Sequence, residues 1–202
     1  MLHIVRRRIL ASSNSKRNPK EMIEENELYS TPTIALETFH NQYPEVFGKF
    51  KCFYDPCDGL GQISDYLESI GKKVYRGDIV DYRSKLNFKE SFLSREAIPE
   101  DVDCIIFNPP FTLTEEFVDK ALSICPNLIM FNRLTTIESN ARANKLNSGE
   151  WPMTCLYQFG FRVSCPKGVD MDKSPNSVAY SWLTFDRYNT DGCRLKWIVK
   201  EG

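Results

Sequence analysis

The run Cys104-Ile105-Ile106-Phe107 is stopped by Asn108-Pro109-Pro110-Phe111 and followed by Thr114 to Ile124, where Phe117, Val118, Ala121 and Leu122 share one helical face. Four consecutive apolar residues suit a strand buried on both sides. The prolines fix their own φ, lack N–H groups and hold the residue before each extended, so the strand cannot continue. Helical spacing then begins, with Thr114 the expected N-cap and Glu115 and Glu116 favouring the positive end of the helix dipole. A buried strand, a stiff turn and an amphipathic helix make a β/α unit. Chains built from such units form a parallel sheet covered by helices.

The same alternation recurs along the chain. Lys51 to Asp55 reads as a strand ended by Pro56, and Gln62 to Ile70 as a helix with Ile63, Tyr66, Leu67 and Ile70 on one face and Gly71 as its stop. Lys73 to Arg76 and Asn127 to Phe131 are further strands, and Ile137 to Leu146 is a helix. Thr154 to Val163, Val178 to Arg187 and Arg194 to Val199 complete the strands, with Pro166 to Asn176 as a Pro-, Gly- and Asp-containing loop. The expectation is an α/β single domain: a seven-stranded, mostly parallel sheet with helices on both faces.

Charge and cysteine usage bound what such a domain does. Net charge is −1, which excludes attachment to nucleic acid by charge over the whole surface but permits a local basic patch. Residues 1 to 20 carry six Lys or Arg and no acid, whereas Glu21, Glu24, Glu25 and Glu27 follow at once. Residues 1–27 therefore read as an arm, either solvated or phosphate-contacting, ahead of a domain over 28–202. The seven cysteines form no C-x-x-C pair, and His3 and His40 stand apart from them, so reduced thiols in a cytoplasmic protein are expected rather than zinc. No stretch approaches the ~20 apolar residues that span a bilayer.

In open parallel sheets, ligands bind at the carboxyl ends of strands. Three such ends are informative. Asp55-Pro56-Cys57-Asp58-Gly59-Leu60-Gly61 joins the first strand to its helix. Its glycines allow close backbone approach, its amides and helix N-terminus suit a carboxylate, and Asp55 suits an ammonium. The plainer reading is a glycine turn. Asp78, 19 residues after Gly59, suits a ribose diol, and Ile79 can cover an adenine face. At Asn108-Pro109-Pro110-Phe111, the Asn108 side-chain oxygen and the Pro109 carbonyl can accept hydrogen bonds from an exocyclic amine. They would make its nitrogen more nucleophilic and stabilise the charge it gains on attack. Phe111 offers a ring on which a flipped base can stack; the plainer reading is a proline turn with a core phenylalanine.

From about Tyr29 to Lys200 the chain resembles the S-adenosylmethionine-dependent N6-adenine DNA methyltransferases of the small phage type. Tyr29-Ser30-Thr31-Pro32 matches that family's Thr-Pro element before a helix, Asp55 to Gly61 its cofactor loop, and Asp78 its second-strand acid. Asn108 to Phe111 matches N-P-P-F, and Glu115 to Leu122, Arg133 and Ala179 to Asp186 match later elements. The resemblance implies a Rossmann-like fold, with S-adenosyl-L-methionine held by Thr31, Pro32, Asp55, Cys57, Gly59, Gly61, Asp78, Ile79, Ser91 and Phe92. It implies catalysis by Asn108, Pro109, Pro110 and Phe111 on an adenine flipped from duplex DNA.

Two departures stand out. The family carries an acid before Phe92 that binds the cofactor's adenine amine; here Ser91 occupies that position, so affinity is expected to be weaker unless Glu90 substitutes. No separate target-recognition domain is visible, so selectivity is expected from loops, a second copy or a partner protein. The alternatives are methylation of a guanine N2 amine in ribosomal RNA or of a protein glutamine, and an inactive nucleic-acid-binding protein on the same fold.

Overall fold

A computed structural model describes residues 27–165 and 178–200, among which one eight-stranded sheet is the central layer. The strands are β1 (Cys52–Asp55), β2 (Lys73–Asp78), β3 (Phe88–Lys89), β4 (Cys104–Phe107), β5 (Asn127–Arg133), β6 (Met153–Phe159), β7 (Tyr180–Asp186) and β8 (Arg194–Ile198). Their spatial order is β3-β2-β1-β4-β5-β7-β6-β8. The first five are parallel; β7 runs antiparallel to both β5 and β6, and β8 is parallel to β6. The expected sheet of seven strands thus gains β3. Two residues are too few to display a period, and β3 exists by pairing with Gly77 and Asp78.

The helices are α1 (Thr33–Gln42), α2 (Pro44–Gly48), α3 (Gln62–Ser69), α4 (Thr114–Ile124) and α5 (Asn140–Ser148). β1 and β4 are buried at every position, as their unbroken apolar character requires. On one side of the sheet, Phe39 of α1 stacks on Trp182 of β7 at 5.2 Å, and the Trp182 Nε1 donates to the Ala35 carbonyl at 3.0 Å. On the other, α4 inserts Phe117, Val118, Ala121 and Leu122 against Ile105, Phe107, Leu128 and Met130. Each fully buried side chain of this size stabilises the fold by about 1.5–3 kcal/mol.

Three local expectations need correction. Thr114 is the first helical residue, not the N-cap; a 3-10 turn over Phe111–Leu113 runs into α4, and the Thr114 hydroxyl donates to the Phe111 carbonyl at 3.2 Å. The helix expected over Ile137 to Leu146 is a 3-10 turn, Leu134–Ile137, followed by α5, because Ser139 caps α5 by accepting from the Arg142 N–H at 3.1 Å. The strand expected to reach Val163 ends at Phe159; the next residue, Gly160, donates its N–H to the Ile198 carbonyl. The arm over 1–26 and the loop Pro166 to Asn176 lie outside the described residues. No described helix is long and apolar enough to cross a membrane.

Side chains occupy the outer edge of β8 at its C-terminal end. The Tyr43 hydroxyl donates to the Trp197 carbonyl at 2.8 Å, and the Gln42 amide both donates to the Val199 carbonyl and accepts from its N–H. An edge covered in this way is a poor template for another strand.

Candidate active site

The carboxyl ends of β1, β2 and β4 open into one cleft of about 800 Å³, open solvent included. Its floor is the loop after β1. The Asp55 carboxylate turns back on that loop, accepting from the Cys57 N–H at 2.9 Å and from the Ser64 hydroxyl at 3.4 Å. Asp78, at the end of β2, accepts from the Gly59 N–H at 2.9 Å and the Val80 N–H at 3.1 Å. The two expected cofactor acids therefore also fix the loop between them.

The two loop glycines have different reasons. Gly59 has φ +52°, and a Cβ there would lie 2.8 Å from Leu28 Cδ1, so its missing side chain admits the segment before α1. Gly61 has φ +80°, and a Cβ there would overlap the Arg83 guanidinium and approach Arg76. Gly61 does not line the cleft; its bareness admits two arginines instead of a ligand. The buried Arg76 pairs with Asp58 at 3.3 Å, Asp65 at 2.8 Å and Glu68 at 2.7 Å, while Arg83 pairs with Asp65 and donates to the Leu60 carbonyl.

Burial dominates the electrostatics. It pushes the Asp55 carboxyl well above the ordinary carboxylate range, and Asp58 beside it pushes the same way. Burial also raises Asp58 against the pull of Arg76, and raises Asp78 against its backbone hydrogen bonds. Asp58 already has Arg76 as its cation, whereas Asp55 and Asp78 have no cationic partner among the described residues and suit a cationic ligand. Burial likewise pushes the Cys57 thiol well up, which leaves it protonated and unreactive.

Asn108, directly after β4, lines the cleft. Its Nδ2 donates to the Tyr29 carbonyl at 2.9 Å and to the Thr31 hydroxyl at 3.1 Å. A carbonyl only accepts, so the amide has one orientation, with Oδ1 turned away from Tyr29. That Oδ1 is enclosed and has no partner among the described residues. An orphaned buried acceptor costs about 1–3 kcal/mol and calls for an explanation. Phe111 packs on Tyr29 at 4.6 Å, and the Arg133 guanidinium stands 3.9 Å from its ring centre.

Of the residues expected from sequence, Thr31, Asp55, Cys57, Gly59, Asp78, Ile79, Ser91, Phe92, Asn108 and Pro110 line the cleft. Pro32, Gly61, Pro109 and Phe111 do not. Pro32 precedes α1 with extended backbone, Pro109 is buried in the turn, and Phe111 faces the side on which Arg133 lies. Glu90 is not on the cleft; it pairs with Arg95, leaving Ser91 there. Leu28, Leu113 and Phe117 line the cleft unforeseen. Phe117 reads from its period as core, and nothing local in sequence marks the other two.

No protein-family model matches the chain, and no curated protein sequence matches it. Among solved structures it is similar to a Pyrococcus horikoshii protein provisionally described as an RNA methyltransferase, with TM-score 0.60 and 18% identity over 84% of this chain and 91% of that one. It is also similar to a Listeria monocytogenes protein provisionally described as a class I S-adenosylmethionine-dependent methyltransferase, with TM-score 0.51 and 14% identity over 82% and 62% of the two chains. A third is a dimethyladenosine transferase from Plasmodium falciparum, with TM-score 0.50 and 14% identity over 79% and 62%. At these identities the likeness establishes the fold, the Rossmann-like architecture of S-adenosylmethionine-dependent methyltransferases.

Proposed function

We propose that the protein transfers a methyl group from S-adenosyl-L-methionine to the exocyclic N6 amine of an adenine in DNA. The observation that carries this reading is Asn108. Its amide is clamped on one side, and its oxygen is buried and without a partner among the described residues, on a residue that lines the cleft.

The residues present suit the cofactor. Asp55 and Asp78 favour a cation, Asp78 suits a ribose diol, and Ile79 and Phe92 offer apolar surface to an adenine ring. When bound, the cofactor supplies an electrophilic methyl group on a sulfonium. The chain's part is orientation and electrostatics. Asn108 Oδ1, with the Pro109 carbonyl, accepts from the two N–H bonds of the amine, which directs its lone pair forward and stabilises the charge growing on nitrogen. The stiff Pro109-Pro110 turn holds these acceptors still, so that alignment with the methyl group is set in advance. No side chain need remove the proton before transfer.

DNA as the substrate rests on the sequence resemblance. The second reading is an adenine in RNA; the Pyrococcus protein is described as an RNA methyltransferase and the Plasmodium protein as a dimethyladenosine transferase. Incubation with tritiated cofactor and either duplex DNA or ribosomal RNA separates them. Label in DNA is expected, located to N6-methyladenine after digestion; label confined to RNA overturns the DNA reading. Absence of S-adenosylhomocysteine binding at millimolar concentration overturns both.

A further inference from the structure

Arg133, the last residue of β5, lies with its guanidinium carbon 3.9 Å from the Phe111 ring centre and 5.5 Å from that of Tyr29. Phe111 and Tyr29 are 4.6 Å apart, so the three form a near-right angle at Phe111. Tyr29 packs on the Phe111 ring at a tilt of 42°, and Arg133 sits over that ring from a different direction. A guanidinium is flat and delocalised and stacks on rings as a base does. A target base on that face of Phe111 needs the space Arg133 fills.

The charge of Arg133 is a second, independent observation. Arg76, Arg83, Arg95, Arg142 and Arg194 each pair with a carboxylate. No carboxylate among the described residues pairs with Arg133. Its Nε is enclosed without a partner among the described residues. Its backbone N–H is fixed by the Asn132 side-chain oxygen at 2.7 Å, which anchors the root of the side chain. A full positive charge, parked on a ring and unmatched by an acid among the described residues, is available to a phosphate.

We propose that Arg133 is a specificity-determining residue: it covers the stacking face of Phe111 until a nucleic-acid strand draws it to a phosphate, so an adenine within a polynucleotide is accepted and a free nucleoside is disfavoured. This rests on the reading of the site as an adenine-N6 methyltransferase. Displacing Arg133 is offset by the phosphate contact it gains, and a nucleoside offers no such contact.

The test compares wild type, Arg133→Ala and Arg133→Lys with two acceptors, adenosine and a short DNA duplex, over a range of salt. Arg133→Ala should raise kcat/KM for adenosine about tenfold and lower it for the duplex about tenfold, factors of roughly one hydrogen-bonded or ionic contact each. Its dependence of log binding on log salt should be shallower by about one, the loss of one phosphate contact. Arg133→Lys keeps the charge and loses the flat group, so it should gain on adenosine and keep the wild-type salt slope. Both variants losing activity on both acceptors together would show that Arg133 merely props Phe111, and would overturn the proposal; so would an unchanged salt slope in Arg133→Ala. S-adenosylhomocysteine calorimetry and thermal melting verify folding, and Arg133→Lys decides the matter if Arg133→Ala is unfolded. Wild-type protein that binds the cofactor product yet neither binds nor methylates a polynucleotide removes the functional reading, and the proposal with it, before any variant is made.

Discussion

The Nδ2 of Asn108 lies 2.9 Å from the carbonyl oxygen of Tyr29, 79 residues earlier in the chain, and this contact with Thr31 beside it gives the amide its direction. Asn108→Ala should reduce methyl transfer at least 100-fold, the scale of losing one transition-state acceptor. Cofactor-product affinity should change less than threefold. Thr31→Val keeps the shape and leaves one amide N–H with only the weak acceptor Cys165 Sγ at 4.0 Å, so transfer should fall about tenfold. Tritium transfer beside calorimetry checks both; an Asn108→Ala protein with substantial turnover refutes the role assigned to the amide.

The raised acids of the cleft give opposite pH dependences for stability and for binding. A carboxyl with a folded-state pKa above its unfolded value, near ~3.9, stabilises the fold fully below that value and loses the contribution as pH rises through the folded pKa. Asp55, Asp58 and Asp78 all shift this way. Asp55→Asn keeps the oxygen that accepts from Cys57 and removes the buried charge, so it should raise the melting temperature at pH 7 and leave it little changed near pH 4. A cationic ligand prefers the ionised acids, so affinity for S-adenosylmethionine should rise with pH, with proton release on binding, and the Asp55→Asn protein should bind roughly tenfold more weakly. Melting curves and calorimetry in buffers of different ionisation enthalpy measure the two; melting temperatures that fall in Asp55→Asn at pH 7 contradict the account.

Gly61→Ala combines two penalties. The left-handed backbone costs about 1–2 kcal/mol for a residue with a Cβ, and that Cβ overlaps the Arg83 guanidinium. Urea unfolding should show a loss exceeding the backbone figure. Placing Arg83→Ala in the same chain should recover the overlap but not the backbone strain, giving a clearly non-additive double-mutant cycle. Additive losses would mean that Arg83 is not what the bare glycine accommodates.

Ser91 lines the cleft, and the nearby Glu90 is engaged by Arg95. Ser91→Asp restores the acid that the resembled family carries there. A hydrogen bond to a charged group contributes about 1.5–3 kcal/mol, so affinity for S-adenosylhomocysteine should tighten by roughly tenfold or more. Titration calorimetry reads this directly, and unchanged or weaker binding would place the adenine amine elsewhere.

The parts of the fold legible in sequence are those whose signal is local. β4 is an unbroken apolar run ended by two prolines, and α4 shows a clean helical face, so both are legible to within a residue or so. β3 and the short turns depend on partners distant in sequence. The same division holds at the site. Asp55, Asp78 and Asn108 are legible because strand ends and prolines mark them. The true neighbours of Gly61 are not, since Arg83 reaches it from a distant loop and leaves no pattern in the chain. Phe111 is legible as a ring, but not as a ring already covered by Arg133.

Residues 27–31 touch nearly everything that matters. Glu27 accepts from both the N–H and the hydroxyl of Thr112, Leu28 lies against Gly59, Tyr29 and Thr31 hold Asn108, and the Ser30 carbonyl accepts from Cys165. This short strap joins the loop after β1 to the turn after β4 while contributing no strand to the parallel sheet. Docking of the strap after the sheet has formed would leave the Asn108 amide unaimed in a molecule that is otherwise folded. Slow activation after refolding, lagging behind recovery of the core's signal, is the kinetic signature of that arrangement.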